Sequence, residues 1–295
     1  MRKLISLLLL MVAGATLVFA QEESTTATSN RHPVTARAQV LLGGAQYVSQ
    51  FLNEQQYSGT MRGVEFTFGR MFPKSKHLSW ELKMAYWGNS QQSFPLRGNG
   101  LYNPSKTSSI VMAHTYDADY AVYYNWFIKD RLQIRLGGYF NVNAGLMVGD
   151  DHFVNNAVTS QLQTMLYGSV QIRYGWNFKK WGLDLYANAA TPLIGGRSAD
   201  GRFLGYFHKK QGGAFASSPY KHYVFAAPHN TLGADWEIGI DFAMPRVSVS
   251  LAYGANSLYW HDYGIQNKRD NAFFKLGVSV NLVCMKRGQT TNRHF

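Results

Sequence analysis

The chain has one cysteine in 295 residues, Cys284. That excludes an internal disulfide and a thiolate metal site. Long apolar runs are equally scarce. Past the first twenty residues, no stretch approaches the roughly 18 continuous apolar residues of a membrane-spanning helix. Acidic charge is thin as well: 17 acids stand against 29 Lys and Arg, a formal net charge of +12. A nucleic-acid-binding face would gather those bases on one surface. Here they fall in scattered pairs, such as Lys129 and Arg131, Lys179 and Lys180, and Lys268 and Arg269. Turns facing anionic lipid headgroups or acidic glycans fit that scatter better, and no nucleic-acid partner is expected.

What is present begins with an export signal over residues 1–20. Met1-Arg2-Lys3 is basic, Leu4 to Ala13 is apolar but for Ser6, and Val18-Phe19-Ala20 suits a signal peptidase. Cleavage after Ala20 removes Arg2 and Lys3 and no acid, so +12 becomes +10. Gln21 follows rather than Cys, so no lipid is expected on the new N-terminus. Residues 21–35 are rich in Ser and Thr without periodicity and read as a disordered lead-in; residues 287–295 read as a C-terminal tail.

Between them, residues 36–286 alternate. Leu78, Trp80, Leu82, Met84 and Tyr86 share one face of a strand, with Ser79, Glu81, Lys83 and Ala85 on the other. Ala118, Tyr120, Val122, Tyr124, Trp126 and Ile128 oppose Asp117, Asp119, Ala121, Tyr123 and Asn125. The same division recurs in ten segments: 36–49, 59–71, 78–88, 110–128, 132–148, 159–178, 181–194, 231–243, 247–258 and 271–285. Connections alternate between long (51–57, 89–109, 149–158, 195–230, 259–270) and short (72–77, 129–131, 179–180, 244–246). The predicted fold is all-β: a closed antiparallel transmembrane barrel of about ten strands, or 12 if the 195–230 loop holds a hairpin. Short turns on one side and long loops on the other mark an outer-membrane barrel.

Alternation alone does not say which face is inside, and a soluble secreted β-protein would carry the same pattern inverted. Three features choose the membrane. Several strands are longer than the five or six residues usual in soluble proteins. Aromatics (Tyr86, Trp126, Tyr174, Trp176, Phe274) gather towards the strand ends, as an interfacial girdle requires. The export signal supplies the route. The polar set then faces a narrow lumen: Glu65, Glu81, Lys83, Arg135, Arg173, Asp184, Asp235, Glu237, Asp241 and Lys275 carry both signs and predict a self-neutralising network rather than an open pore. Cys284 falls on the apolar face of the last strand. Arginine is expected to cost more at outward Val278 than at inward Ser279.

Two motifs add a resemblance. Ala190-Thr191-Pro192-Leu193-Ile194-Gly195-Gly196 precedes a long loop, then Val224-Phe225-Ala226-Ala227-Pro228-His229-Asn230, then two strands joined at Met244-Pro245. Together with Tyr57-Ser58-Gly59, this resembles an uncharacterised Bacteroidetes family of exported outer-membrane-type barrels, over about residues 36–285. The resemblance implies architecture and location and carries no reaction. Many such barrels end on an aromatic in the last strand; here Phe295 is separated from that strand by Gly288 to His294.

Candidate chemistry is sparse. Asp117 and Asp119 with Asp150 and His152 could activate water at a barrel rim, as in an omptin-like protease. The first two read more simply as lumen charges paired to Arg135. A lipid hydrolase needs Ser beside His; His229-Asn230-Thr231 is the nearest approach, and Gly-x-Ser-x-Gly is absent. His208, His222 and His229 match no ligand spacing, and neither metal nor cofactor is expected. The 195–230 loop interleaves aromatics with bases, which suits stacking on a glycan or docking a partner protein. Tyr206, Lys209, Lys210, Tyr220 and Lys221 are its candidate binding residues. The reading is a monomer in outer-membrane lipid, non-enzymatic, with structural or surface-binding loops; a rim-active hydrolase is the alternative.

Overall fold

Alternation of this length leaves each strand with one face for lipid and one for the interior, and only closure pairs every backbone amide. The computed structural model describes residues 34–49, 56–72, 75, 77–94, 110–128, 131–149, 158–178, 181–198, 223–244, 247–262 and 265–281. They form β1 (Thr35–Ser49), β2 (Gln56–Met71), β3 (Leu78–Phe94), β4 (Ile110–Ile128), β5 (Leu132–Gly149), β6 (Val158–Asn177), β7 (Gly182–Ser198), β8 (Tyr223–Ala226), β9 (Thr231–Ala243), β10 (Val247–Asp262) and β11 (Ile265–Asn281). Sequence neighbours pair antiparallel from β1 through β7, and again from β9 through β11. β11 returns to β1 and pairs with the whole of it, from Asn281 opposite Thr35 to Asn267 opposite Ser49. β7 pairs with β9 over Gly182–Ala190 and with β8 over Gly195–Ser198. Ten strands therefore close the barrel, and β8 is a four-residue addition above β9. Within the 195–230 connection, the described ends Gly195–Ser198 and Tyr223–Ala226 pair with each other, and residues 199–222, where the 12-strand alternative placed a hairpin, lie outside the described residues.

The polarity is the one expected for lipid outside. Leu42, Met84, Tyr120, Leu136, Ile172, Leu185, Ile238, Leu251, Phe274 and Leu276 face outward and are exposed. Gln39, Glu65, Asp119, Asn125, Arg135, Arg173, Asp241 and Lys275 face inward and are buried. The wall is a transmembrane barrel with a charged lumen.

Three expectations need correction. The segment 259–270 is not a long loop: β10 and β11 continue as a hairpin until Asp262 opposes Ile265. Lys268 and Asp270 hid this, because the outward face is no longer apolar there. β3 likewise runs to Phe94. Longer strands also move the girdle. Trp126, Tyr174 and Trp176 lie beside the short turns, with Phe178 stacked on Trp181 at 3.9 Å and Trp181 on Phe242 at 5.2 Å. Tyr86 and Phe274 instead sit midway along their strands; Phe274 packs on Tyr253 at 4.8 Å and Tyr253 on Trp236 at 5.5 Å. Finally, inward Ser279 is not an open position. It is 2% exposed and its hydroxyl bonds that of Ser248.

Above the apolar belt the exterior is uneven. On β1, β2, β3, β10 and β11 the outward residues of the loop-side end are mainly polar, Gln46, Thr60, Arg62, Ser90, Ser257 and Lys268, with Val48 and Tyr259 among them. On β4, β5, β7, β8 and β9 they stay apolar: Met112, Leu146, Ile194, Phe225 and Leu232. Cys284 and the 282–295 tail lie outside the described residues.

The two resemblance motifs meet. Gly195 and Gly196 of β7 pair with Ala226 and Phe225 of β8. Just before them the β6–β7 register slips: Leu166 faces Ile194, yet Tyr167 faces Pro192. Leu193 is the extra residue of a bulge, a position where proline is tolerated in a sheet. The bulge turns both Leu193 and Ile194 outward and changes the phase, so that Arg197 points inward. After β8, Asn230 cinches the turn to β9. Its Nδ2 donates to the Phe225 carbonyl at 2.8 Å, and its Oδ1 accepts from the Ala227 amide at 3.0 Å.

Candidate functional site in the lumen

Each inward residue is fixed by strand parity, and the strands together stack the lumen in three storeys. The floor, nearest the short turns, is ionic. Asp241 of β9 is fully buried; its Oδ2 lies 2.8 Å from Arg37 of β1 and 3.4 Å from Arg173 of β6. Arg135 of β5 donates to Glu81 at 2.8 Å, to Gln171 at 2.6 Å and to Asn125 at 3.2 Å, and lies 4.3 Å over the Tyr123 ring. The ion pairs among them join non-adjacent strands, β9 to β1 and β6 and β5 to β3, and so tie the barrel across its bore.

The middle storey is a chamber. Lys275 of β11 sits between Glu65 of β2 at 2.8 Å and Glu237 of β9 at 2.6 Å, and Tyr186 donates to Glu237 at 2.9 Å. Lys83 pairs with Asp119. Asp117 accepts from the Trp87 indole and from the Asn141 and Asn143 amides. Asp235 accepts from the Tyr139 hydroxyl at 2.8 Å. Tyr139 and Tyr167 stack at 4.6 Å, and Trp87 meets Phe273 edge-on at 5.8 Å. These groups surround a cavity of about 180 Å³.

Aromatic packing narrows the upper storey. Tyr47, Tyr57, Leu258 and Trp260 form one buried cluster, with Met147 against it from β5. Gln161 of β6 donates to the Tyr47 hydroxyl of β1 at 3.1 Å. Those strands stand on opposite sides of the ring, so this contact bridges the full bore. Arg197, placed inward by the bulge, lies 5.8 Å over Trp260 and donates to Thr231 at 2.7 Å.

The sequence-predicted residues distribute accordingly. Asp117 and Asp119 are inside the barrel, well along β4 rather than at its outer end. Asp119 pairs with Lys83, while Arg135 belongs to Glu81; the expected pairing with Arg135 does not form. Parity put all of them on one face, but register chose the partner: Lys83 of β3 stands directly opposite Asp119 on the neighbouring strand. Asp150 and His152, and Tyr206, Lys209, Lys210, Tyr220 and Lys221, lie outside the described residues. So do His208 and His222; His229 is exposed in the β8–β9 turn, stacked on Phe225. Thr231, the stand-in for a hydrolase serine, is buried against Arg197. No group of His, Cys, Asp and Glu among the described residues is placed to hold a metal ion.

Sequence reasoning named most of the lumen acids and bases. It missed Arg37, Arg197 and Arg269, and the interior aromatics Tyr47, Trp87, Tyr139, Tyr167, Trp260 and Phe273. Parity was the available signal for all of them but Arg197, which the β7 bulge puts out of phase with the rest of its strand.

Comparison with known proteins gives one family and several shapes. A family described as "protein of unknown function (DUF3316)" matches residues 3–289. No curated protein matches the chain. Among solved structures, the outer membrane protease OmpT from Escherichia coli is similar, at 11% identity and a TM-score of 0.45, covering 88% of this chain and 99% of that one. The translocator domain of the autotransporter NalP from Neisseria meningitidis is 8% identical, with a TM-score of 0.41, covering 95% and 97%. An outer membrane channel from Pseudomonas putida F1 is 8% identical, with a TM-score of 0.39, covering 87% and 99%.

Proposed function

The chain belongs to the DUF3316 family of proteins of unknown function, and from there we propose that it is an exported, non-enzymatic outer-membrane barrel with a non-conducting lumen, working at the cell surface through its loops. One observation carries the reading: the bore is tied across at both ends, by the Arg37–Asp241–Arg173 floor and by the Gln161–Tyr47 bridge. A lumen so filled serves wall stability rather than diffusion. The polar loop-side tops of β1, β2, β3, β10 and β11 support strands that rise past the hydrocarbon and present the loops outside. Within the 195–230 connection, Tyr206, Lys209, Lys210, Tyr220 and Lys221 are the proposed contacts to an acidic glycan or a partner protein.

The test has two readings on one preparation. The chain should fractionate with the outer membrane and run faster on SDS gels unheated than heated. In planar bilayers it should give no steady conductance at moderate voltage. A stable open-channel conductance would sink the non-conducting reading. A soluble protein without a heat shift would sink the membrane reading itself. Replacing the five loop residues by alanine should abolish binding of cells to acidic glycans or a partner protein while leaving the heat shift intact.

A further inference from the structure

The chamber's charges do not balance where its aromatics gather. Glu65, Glu81, Asp119, Glu237 and Asp241 each touch a Lys or Arg. Asp117 and Asp235 touch none among the described residues; both are held by neutral donors, the Trp87 indole, two Asn amides and the Tyr139 hydroxyl. The third charged group here is Arg269. Among the described residues its Nη1 reaches the Asn143 amide oxygen, at 3.5 Å, and its buried Nε has no acceptor. Two carboxylates against one guanidinium leave this part of the chamber one positive charge short.

The same space is lined by rings whose faces attract cations. Lys83 already lies 5.7 Å from the Tyr139 centroid, and Lys275 lies 5.2 Å from that of Phe273. Tyr167, stacked behind Tyr139, and Trp87 carry no cation among the described residues. A hard metal ion would want six or more oxygen ligands, which two carboxylates do not supply. A cavity of about 180 Å³ suits a small molecule and not a polymer. We propose that the chamber binds a small organic cation, an ammonium or quaternary ammonium group, between Asp117 and Asp235 and against Tyr167 and Trp87.

Choline is the probe, titrated calorimetrically into the full chain refolded in a detergent without a choline headgroup. Its neutral carbon analogue, 3,3-dimethylbutanol, is the matched control. Choline should bind and the alcohol should not. Asp235→Asn and Asp117→Asn should each weaken choline at least tenfold, and Tyr167→Leu several-fold. Tyr139→Phe keeps the ring and removes only the hydroxyl, so binding should stay within about threefold. Each variant is read only if its gel heat shift is native. Should both Asn variants misfold, Tyr167→Leu against Tyr139→Phe decides the matter. Equal heats from choline and the alcohol, no binding of choline, or binding indifferent to all four substitutions would overturn the site.

Discussion

Leu276→Arg destabilises the folded barrel by about 2–4 kcal/mol in lipid vesicles, because a guanidinium enters hydrocarbon near mid-depth. Leu276 is 60% exposed on the outward face of β11, between Val40 of β1 and Leu251 of β10. Its neighbours offer no acid and no route to water. The same change at Thr60, on the polar loop-side exterior of β2, should cost about 0–1 kcal/mol, since the cost falls steeply towards the interface. The comparison is made by equilibrium urea unfolding of both variants in one lipid. Val278 is the weaker choice of site because it lies closer to the short-turn end. Ser279 fails as a control, since arginine there would have to displace packed lumen. Equal costs at Leu276 and Thr60 would mean that the outward face does not meet hydrocarbon.

Asp241→Ala should be costlier still than most lumen substitutions, at about 3–5 kcal/mol, the usual penalty for removing one partner of a buried ion pair. Asp241 is fully buried and joins guanidiniums from β1 and β6 to β9. The cost comes chiefly from what remains: Arg37 keeps its charge and loses its carboxylate. Exposed pairs behave differently. Lys268 is half exposed beside Asp270, and Asp270→Ala should fall within about 1 kcal/mol of the parent. Unfolding midpoints for the two variants, measured together, separate the cases. A loss at Asp241 no larger than that at Asp270 would show that the floor is solvated and not a structural tie.

Barrel class, strand number and facing were legible because alternation over lipid is a strong periodic signal: Tyr120, Val122, Tyr124 and Trp126 could face only one way together. The signal ended where the lipid ended. Lys268, Asp270, Ser257 and Ser90 belong to strands whose outward faces meet water, and their segments read as loop for that reason. The bulge at Leu193 was illegible because two adjacent outward residues break the period; Pro192 marked the place without saying what happened there. Lumen membership was legible from parity, but partnership was not. Which base meets Asp119 depends on the register of β3 against β4, which sets Lys83 directly opposite it, and which carboxylates lack a base depends on the whole ring of strands.

The seam between β1 and β11 has a consequence for how the wall is made. Thr35 faces Asn281 and Ser49 faces Asn267, so the contacts that finish the cylinder join the two ends of the chain. Every other pairing except β7–β9 is between neighbours in sequence and can form as a growing meander. The final one gathers its reward only after nearly the whole chain has been ordered, and closure entropy is lost before any of it arrives. Until that moment the assembling sheet has two open edges, each a row of unpaired amides. Maturation should therefore be slow and late-committing, with an edge-open species susceptible to protease, and shortening β11 should leave that species as the end product instead of a smaller barrel.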